Sequence, residues 1–234
     1  MGRSYCLGRL PIDLIEAKPR IAYVGAERQD KYERYGWNLR VRDLVATGMH
    51  RTDLLLQPVT EEERRRVAAA MRACGLYRHA GREFLSLSYG QKRLALLARA
   101  LVQEPDWLLL DEFYNGLDAA YRRRIDGVLD AARRRGQSWI ATAHRAGDVP
   151  RGTSRLIELA GGRVLAVRRL RRADLARLTR HAGENLRRPS PPRVRPRAAA
   201  SAAGLGTAGD ARGARAVLLR LCATISPSRT SSSL

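Results

Sequence analysis

Four apolar residues in a row, Trp107-Leu108-Leu109-Leu110, run directly into two carboxylates, Asp111-Glu112. The run is too short for a helix, and its unbroken apolar character suits a strand of a parallel sheet covered on both faces. Helical patterns lie on either side. Leu94, Leu97, Ala98 and Leu101 recur at spacings of three and four before Pro105 stops them. Residues 119–134 form a second such stretch, closed by Gly136, and Ser138-Trp139-Ile140-Ala141-Thr142 reads as the next strand. Strands that alternate with helices predict an α/β layered fold.

The rest of the chain extends this pattern. Arg20 to Gly25 reads as a strand, and the polar stretch 26–38 carries no assignment. Val41 to Thr47 looks helical, with Gly48 placed to end it. Thr60 followed by Glu63 is a capping box, and Val67, Ala70, Met71 and Cys74 continue that helix toward Gly75. Residues 85–91 form a polar loop that opens the helix containing Leu94. Residues 154–159 and 163–167 read as two late strands joined at Gly161-Gly162. Beyond Arg172 the pattern fades into Pro-, Ala- and Ser-rich sequence. Residues 173–234 are therefore expected to be mostly disordered, with 214–225 forming one short basic helix.

With 234 residues and 44% hydrophobic content, the chain can bury one medium core. No stretch approaches the ~20 apolar residues of a membrane-spanning helix, and the N-terminus has no apolar run of the secretory type. Cys6, Cys74 and Cys222 are far apart, which argues against a disulfide framework or zinc site and fits a reducing cytosol. The net charge of +21 would ordinarily point to a nucleic acid. From Ala166 onward, however, 15 Arg face only Asp174, Glu184 and Asp210, and the whole chain has three Lys. GC-rich coding alone would produce an Arg and Ala bias of this kind, so the charge, and the Arg-rich tail above all, is only weak support for nucleic-acid binding.

Three features follow one another in fixed order. Leu87-Ser88-Tyr89-Gly90-Gln91 stands at a helix start, Leu108-Leu109-Leu110-Asp111-Glu112 leads to Gly116-Leu117-Asp118, and His144 follows a strand. Together they resemble the ABC ATPase family over about residues 20–165: a signature loop (LSGGQ, here LSYGQ), a Walker B segment ending in Asp-Glu, and a switch histidine. The resemblance implies a P-loop NTPase-like parallel sheet flanked by helices. Residues 1–172 would be a partial ABC ATPase domain, with a helical subdomain at about 41–100 carrying the signature loop. The cofactors implied are ATP and Mg²⁺.

The resemblance also assigns roles. A helix N-terminus with unpaired N–H groups suits a phosphate, so Ser88, Gly90 and Gln91 would reach the γ-phosphate held by an opposite subunit. Asp111 would hold Mg²⁺, Glu112 would act as general base, and His144 would contact the γ-phosphate. Asp118 would sit at the dimer interface. Gln29 is the best candidate for the family's Q-loop glutamine. Each piece has a plainer reading beside it. Ser88 and Asp118 are good helix N-caps, an Asp-Glu pair can simply end a strand, and a lone His is often structural. Residues 28–32 and 144–150 look most like a bacterial subgroup labelled molybdenum-transport or photorepair ATP-binding proteins.

One departure weighs more than the matches. The 234 residues contain no GxxxxGK[ST], the loop whose backbone donors and lysine supply most nucleotide affinity. The chain looks truncated at its front and is expected to bind ATP negligibly by itself. The family reading implies an ATPase subunit driving transport, cytoplasmic and peripheral to the inner face of the membrane. Its partners would be a second cassette and a transmembrane permease. The alternatives are a non-catalytic cassette fragment acting through a partner, and a nucleic-acid-associated ABC ATPase. The stretch from Val41 to Leu85 is too short for the coiled-coil insertion of the latter.

Overall fold

The computed structural model describes residues 5–7, 10–160, 163–176 and 219–224. The chain opens with an antiparallel hairpin, β1 (Tyr5–Leu7) and β2 (Leu10–Ile12), and one helical turn, α1 (Leu14–Ala17). Strand β3 (Ile21–Gly25) leads into α2 (Ala26–Arg34), α3 (Val41–His50), α4 (Glu61–Ala73) and α5 (Tyr89–Leu101). Then come β4 (Trp107–Asp111), α6 (Ala119–Arg134), β5 (Ser138–Thr142), β6 (Arg155–Ala160), β7 (Arg163–Arg169) and β8 (Leu219–Thr224).

The apolar run at residue 107 is the middle of a parallel trio. β3 and β4 align Ile21 with Trp107 and Gly25 with Asp111, and β4 and β5 align Leu110 with Ala141. Ala22, Val24, Leu108, Leu110, Trp139 and Ala141 are buried, in one core with Leu94 and Leu97 of α5 and Ile125 and Leu129 of α6. Burying a side chain such as Leu108 contributes about 2 kcal/mol. The other face is less covered than an unbroken apolar run suggests. Trp107 and Leu109 are only half-buried, and Ile21 and Tyr23 are exposed.

Helix boundaries follow local chemistry. The Thr60–Glu63 capping box forms as expected. Gly48 does not end its helix: α3 runs on to His50 and stops at Arg51, which adopts left-handed backbone at φ 56°. Gly48 is needed for close approach instead, because a Cβ there would lie 2.1 Å from the Arg99 carbonyl oxygen of α5. The polar stretch after Gly25 is the helix α2, whose buried residues are Gln29 and Tyr32. So few apolar positions leave no helical periodicity to read.

The six-stranded sheet has the order β3-β4-β5-β8-β6-β7, with β8 antiparallel to both neighbours. The helix expected over residues 214–225 is therefore corrected: residues 219–224 are a strand, and the remainder of that span lies outside the described residues. β5 and β6 present two backbone edges that both need partners. A strand meets both at once and a helix cannot. Just past residue 172, Asp174 is buried and accepts hydrogen bonds from Arg168 of β7 at 2.7 and 2.8 Å. The disorder expected for residues 177–218 and 225–234 concerns positions outside the described residues.

Candidate functional site

Parallel strands end with their carboxyl termini along one edge, where loops leave the sheet and ligands bind. Here that edge carries Asp111 at the end of β4, Glu112 just after it, and His144 two residues past β5. The three candidates come together. The His144 imidazole Nε2 and Glu112 Oε1 are 2.8 Å apart. Asn115 Nδ2 donates to the other oxygen, Glu112 Oε2, at 2.9 Å. Both side chains are about half exposed, so their ion pair adds little to stability. Its consequence is orientation, since both oxygens of Glu112 are held.

Glu112 adopts φ 44°, left-handed backbone that costs a non-glycine residue roughly 1–2 kcal/mol. Thr142 holds it there. The Glu112 amide donates to Thr142 Oγ1 at 2.7 Å, and the Thr142 hydroxyl donates to Asp111 Oδ1 at 2.8 Å. One hydroxyl thus ties both carboxylate residues to β5. The other oxygen of Asp111 accepts from the Tyr23 phenol at 3.0 Å. Burial, and then the bond to Asp111 and its negative charge, push the Tyr23 phenol up to about 12.

The tip of α5 forms a second group. Ser88 is the N-cap: its Oγ accepts from the Gln91 amide at 3.4 Å, and Gln91 Oε1 accepts from the Ser88 amide at 3.0 Å. Ser88 is exposed, and its hydroxyl also lies 3.2 Å from the Tyr121 hydroxyl. Gly90 has a packing reason to be glycine, because a Cβ would sit 2.4–2.6 Å from the Tyr121 ring. Asp118 caps α6, accepting from the Tyr121 amide at 2.9 Å. Tyr89, where the family motif has glycine, donates to the Asn115 carbonyl at 3.1 Å and accepts from the buried Arg93 at 2.6 Å. The loop bearing Asn115 therefore touches both groups.

Gln29 stands apart. It is buried on α2, its amide donates to Glu33 Oε1 at 3.2 Å, and its own oxygen has no partner. Tyr23, Thr142, Asn115 and Tyr121 escaped the sequence reading. Tyr23 lies 88 positions from its partner Asp111, and no local motif marks such a pair.

Among the described residues, no three His, Cys, Asp or Glu side chains are grouped to hold a metal ion. Mg²⁺ bound with phosphates needs only one or two carboxylates, the remaining ligands being phosphate oxygens and water. Asp111 fits that demand: it is half-buried, each oxygen accepts one protein donor, and each keeps a lone pair. A backbone cradle for the triphosphate is another matter, because the sequence has no GxxxxGK[ST] loop.

Residues 59–145 match a family described as "AAA domain, putative AbiEii toxin, Type IV TA system". The aliphatic sulfonates import ATP-binding protein SsuB of Mycobacterium avium is 39% identical over 126 residues, covering 53% of this chain and 49% of SsuB. The ABC transporter ATP-binding protein ModF of Escherichia coli is 32% identical over 137 residues, 58% of this chain and 27% of ModF. The chain thus spans about half the length, or less, of these curated relatives. In fold it is similar to cbiO1 from Clostridium perfringens, part of the ABC transporter complex cbiONQ, with TM-score 0.59, 24% identity, and 78% of this chain and 71% of that one covered. The dimeric bacterial cassette MJ0796 gives TM-score 0.55 at 20% identity, covering 72% and 73%. The order of signature loop, Asp-Glu pair and histidine agrees with these matches, and over about half of its length the chain is similar to the ATP-binding cassettes of ABC transporters.

Proposed function

We propose that this chain is a cassette component of an ABC-type ATPase, in which Asp111, Glu112 and His144 form the hydrolytic edge and the α5 tip serves a nucleotide held by a second cassette. The observation that supports it most is the Glu112 carboxylate, fixed at both oxygens and carried on left-handed backbone. Such strain persists only where surrounding contacts enforce it.

In this reading Glu112 is the general base, accepting a proton from the attacking water on one of its oxygens. Asn115 and His144 orient the carboxylate, and Thr142 keeps Asp111 and Glu112 in fixed relation. Bound Mg–ATP supplies the phosphoryl group and its charge-neutralising cation, with Asp111 as the metal carboxylate. Ser88, Gly90 and Gln91 place the N–H groups of α5 toward a phosphate across a cassette interface, and Asp118 adjoins that interface. Gln29 remains the glutamine assigned to the Q-loop, acting through α2 because its amide is engaged with Glu33.

The partners in this reading are a second ABC cassette and a transmembrane permease, as the assembly named for cbiO1 suggests. No helix among the described residues is long and apolar enough to cross a membrane. Work at the cytoplasmic face would then depend on the permease. Without a phosphate-wrapping loop, the 234-residue chain alone should bind Mg–ATP negligibly. Fluorescent-ATP binding and phosphate release, measured on the purified chain, test this. Turnover near ~1 s⁻¹, ordinary for an enzyme, would refute the division of labour.

A further inference from the structure

Strand β8 reaches the sheet differently from every other strand. It lies between β5 and β6, pairing Trp139 to Thr142 with Thr224 to Leu221 on one side, and Arg155 to Leu159 with Ala223 to Leu219 on the other. β5 and β6 do not pair with each other. Among the described residues, backbone pairing between the β6–β7 hairpin and the parallel trio therefore runs through β8. Among the described side chains, a small second cluster joins Ala143, just past β5, to Leu156 of β6, with Val149 and Leu170 against them, so the two sides also meet through a few apolar contacts.

By length alone, the segment ahead of β8 is compatible with a donor strand from the same molecule or from a second one. Residues 177–218 separate it from the rest of the described chain. A segment of that length can span up to roughly 140 Å when extended, several times the ~18 Å radius of gyration of a chain this size. Recognition at the slot is through main-chain hydrogen bonds on two edges, the mode by which sheets accept added strands. An antiparallel strand also needs no crossover connection. Left empty, the slot would bare two facing rows of unpaired N–H and C=O groups, which proteins do not leave open.

We propose that the gap between β5 and β6 is a strand-acceptor site and that residues 219–224 of a second copy of this chain can fill it. The exchanged form makes the same contacts as the closed one, so its population is set by concentration. Against an effective intramolecular concentration on the order of 1 mM, about a tenth of acceptors would be filled in trans at ~100 μM chain.

The register supplies the test. Ala141 and Cys222 are Cα partners, and directly opposed residues of antiparallel strands lie about 4.5–5.5 Å apart, within disulfide reach. Two full-length proteins are made, both with Cys6→Ser. The acceptor carries Ala141→Cys and Cys222→Ser, and the donor keeps Ala141 and Cys222. They are mixed or refolded together and oxidised mildly. The buried Cys74, whose thiol burial pushes up to about 12, stays inert. The expected result is a covalent heterodimer joined through positions 141 and 222, its yield rising in proportion to concentration. A bond that forms within an Ala141→Cys single variant but never between copies, up to ~1 mM, overturns the proposal. So does the absence of any 141–222 bond. If Ala141→Cys fails to fold, Ile157→Cys on the acceptor and Leu221→Cys on the donor, also Cα partners, give the same readout.

Discussion

Replacing Thr142 by valine removes one hydroxyl and almost no volume, so its effect reports the two hydrogen bonds alone. The Glu112 amide would lose its acceptor and Asp111 Oδ1 its donor. A neutral hydrogen bond contributes about 1 kcal/mol net, and one to a carboxylate about twice that when shielded. Asp111 is only half-buried, so the second bond is set nearer 1 kcal/mol and the pair at about 2 kcal/mol. For a chain of this size that predicts a fall in Tm of roughly 4–8 °C. Glu112 would also lose what enforces its left-handed backbone, and its amide should exchange at least about fivefold faster, the factor that corresponds to about 1 kcal/mol. Thr142→Ser keeps the hydroxyl and should cost at most about 1 kcal/mol for the lost methyl. Thermal unfolding and amide hydrogen exchange measure both effects. A valine variant within about 0.5 kcal/mol of the parent, with Glu112 exchange unchanged, would show that Thr142 does not hold the carboxylate pair.

Other perturbations test different contacts. Gly48→Ala would force a methyl to within 2.1 Å of the Arg99 carbonyl. A loss of about 3 kcal/mol in urea unfolding is expected, because a backbone atom cannot step aside; a loss under about 1 kcal/mol would mean that α3 and α5 pack less closely. Tyr23 bears on pH dependence. Its phenol is raised from 10.0 to about 12 in the folded protein. The protonated form is the one that folding favours, so this stability is complete below about pH 10 and is lost as pH rises toward about 12. Tyr23→Phe should flatten the stability profile in that window. Tyr114, raised further by burial and its bond to Asp126, titrates alike in both proteins. A slope unchanged by the substitution would place the Tyr23 phenol outside Asp111's reach.

What could be read from sequence was what is encoded within a few residues. The caps at Thr60, Ser88 and Asp118 depend on neighbours three positions away, and each forms where expected. The strand at Trp107 and the helix over residues 119–134 were equally legible, because a short apolar run and helical spacing are local patterns, although the strand buries alternate residues rather than both faces. The hydroxyl of Thr142 and the phenol of Tyr23 were not, since their importance comes from strands 30 and 88 positions away being set side by side. β8 failed for a related reason. A stretch of mixed Leu, Ala and Arg satisfies a helix pattern or a strand pattern, and the choice was made by a gap between two other strands. Gly48 shows the same limit at a single residue: a glycine near a helix end resembles a stop signal until the opposing carbonyl is located.

The central claim is that the carboxylate at position 112 is the base of a phosphohydrolase. It is tested most directly in a chimera that joins a strand–GxxxxGK[ST]–helix segment ahead of Ile21, with and without Glu112→Gln. Both chimeras should bind Mg–ATP, and the glutamine form should turn over about 10²- to 10⁴-fold more slowly, the usual contribution of a positioned base. A glutamine chimera that hydrolyses within about twofold of its parent, or a folded parent that binds Mg–ATP and never turns it over, would contradict the account.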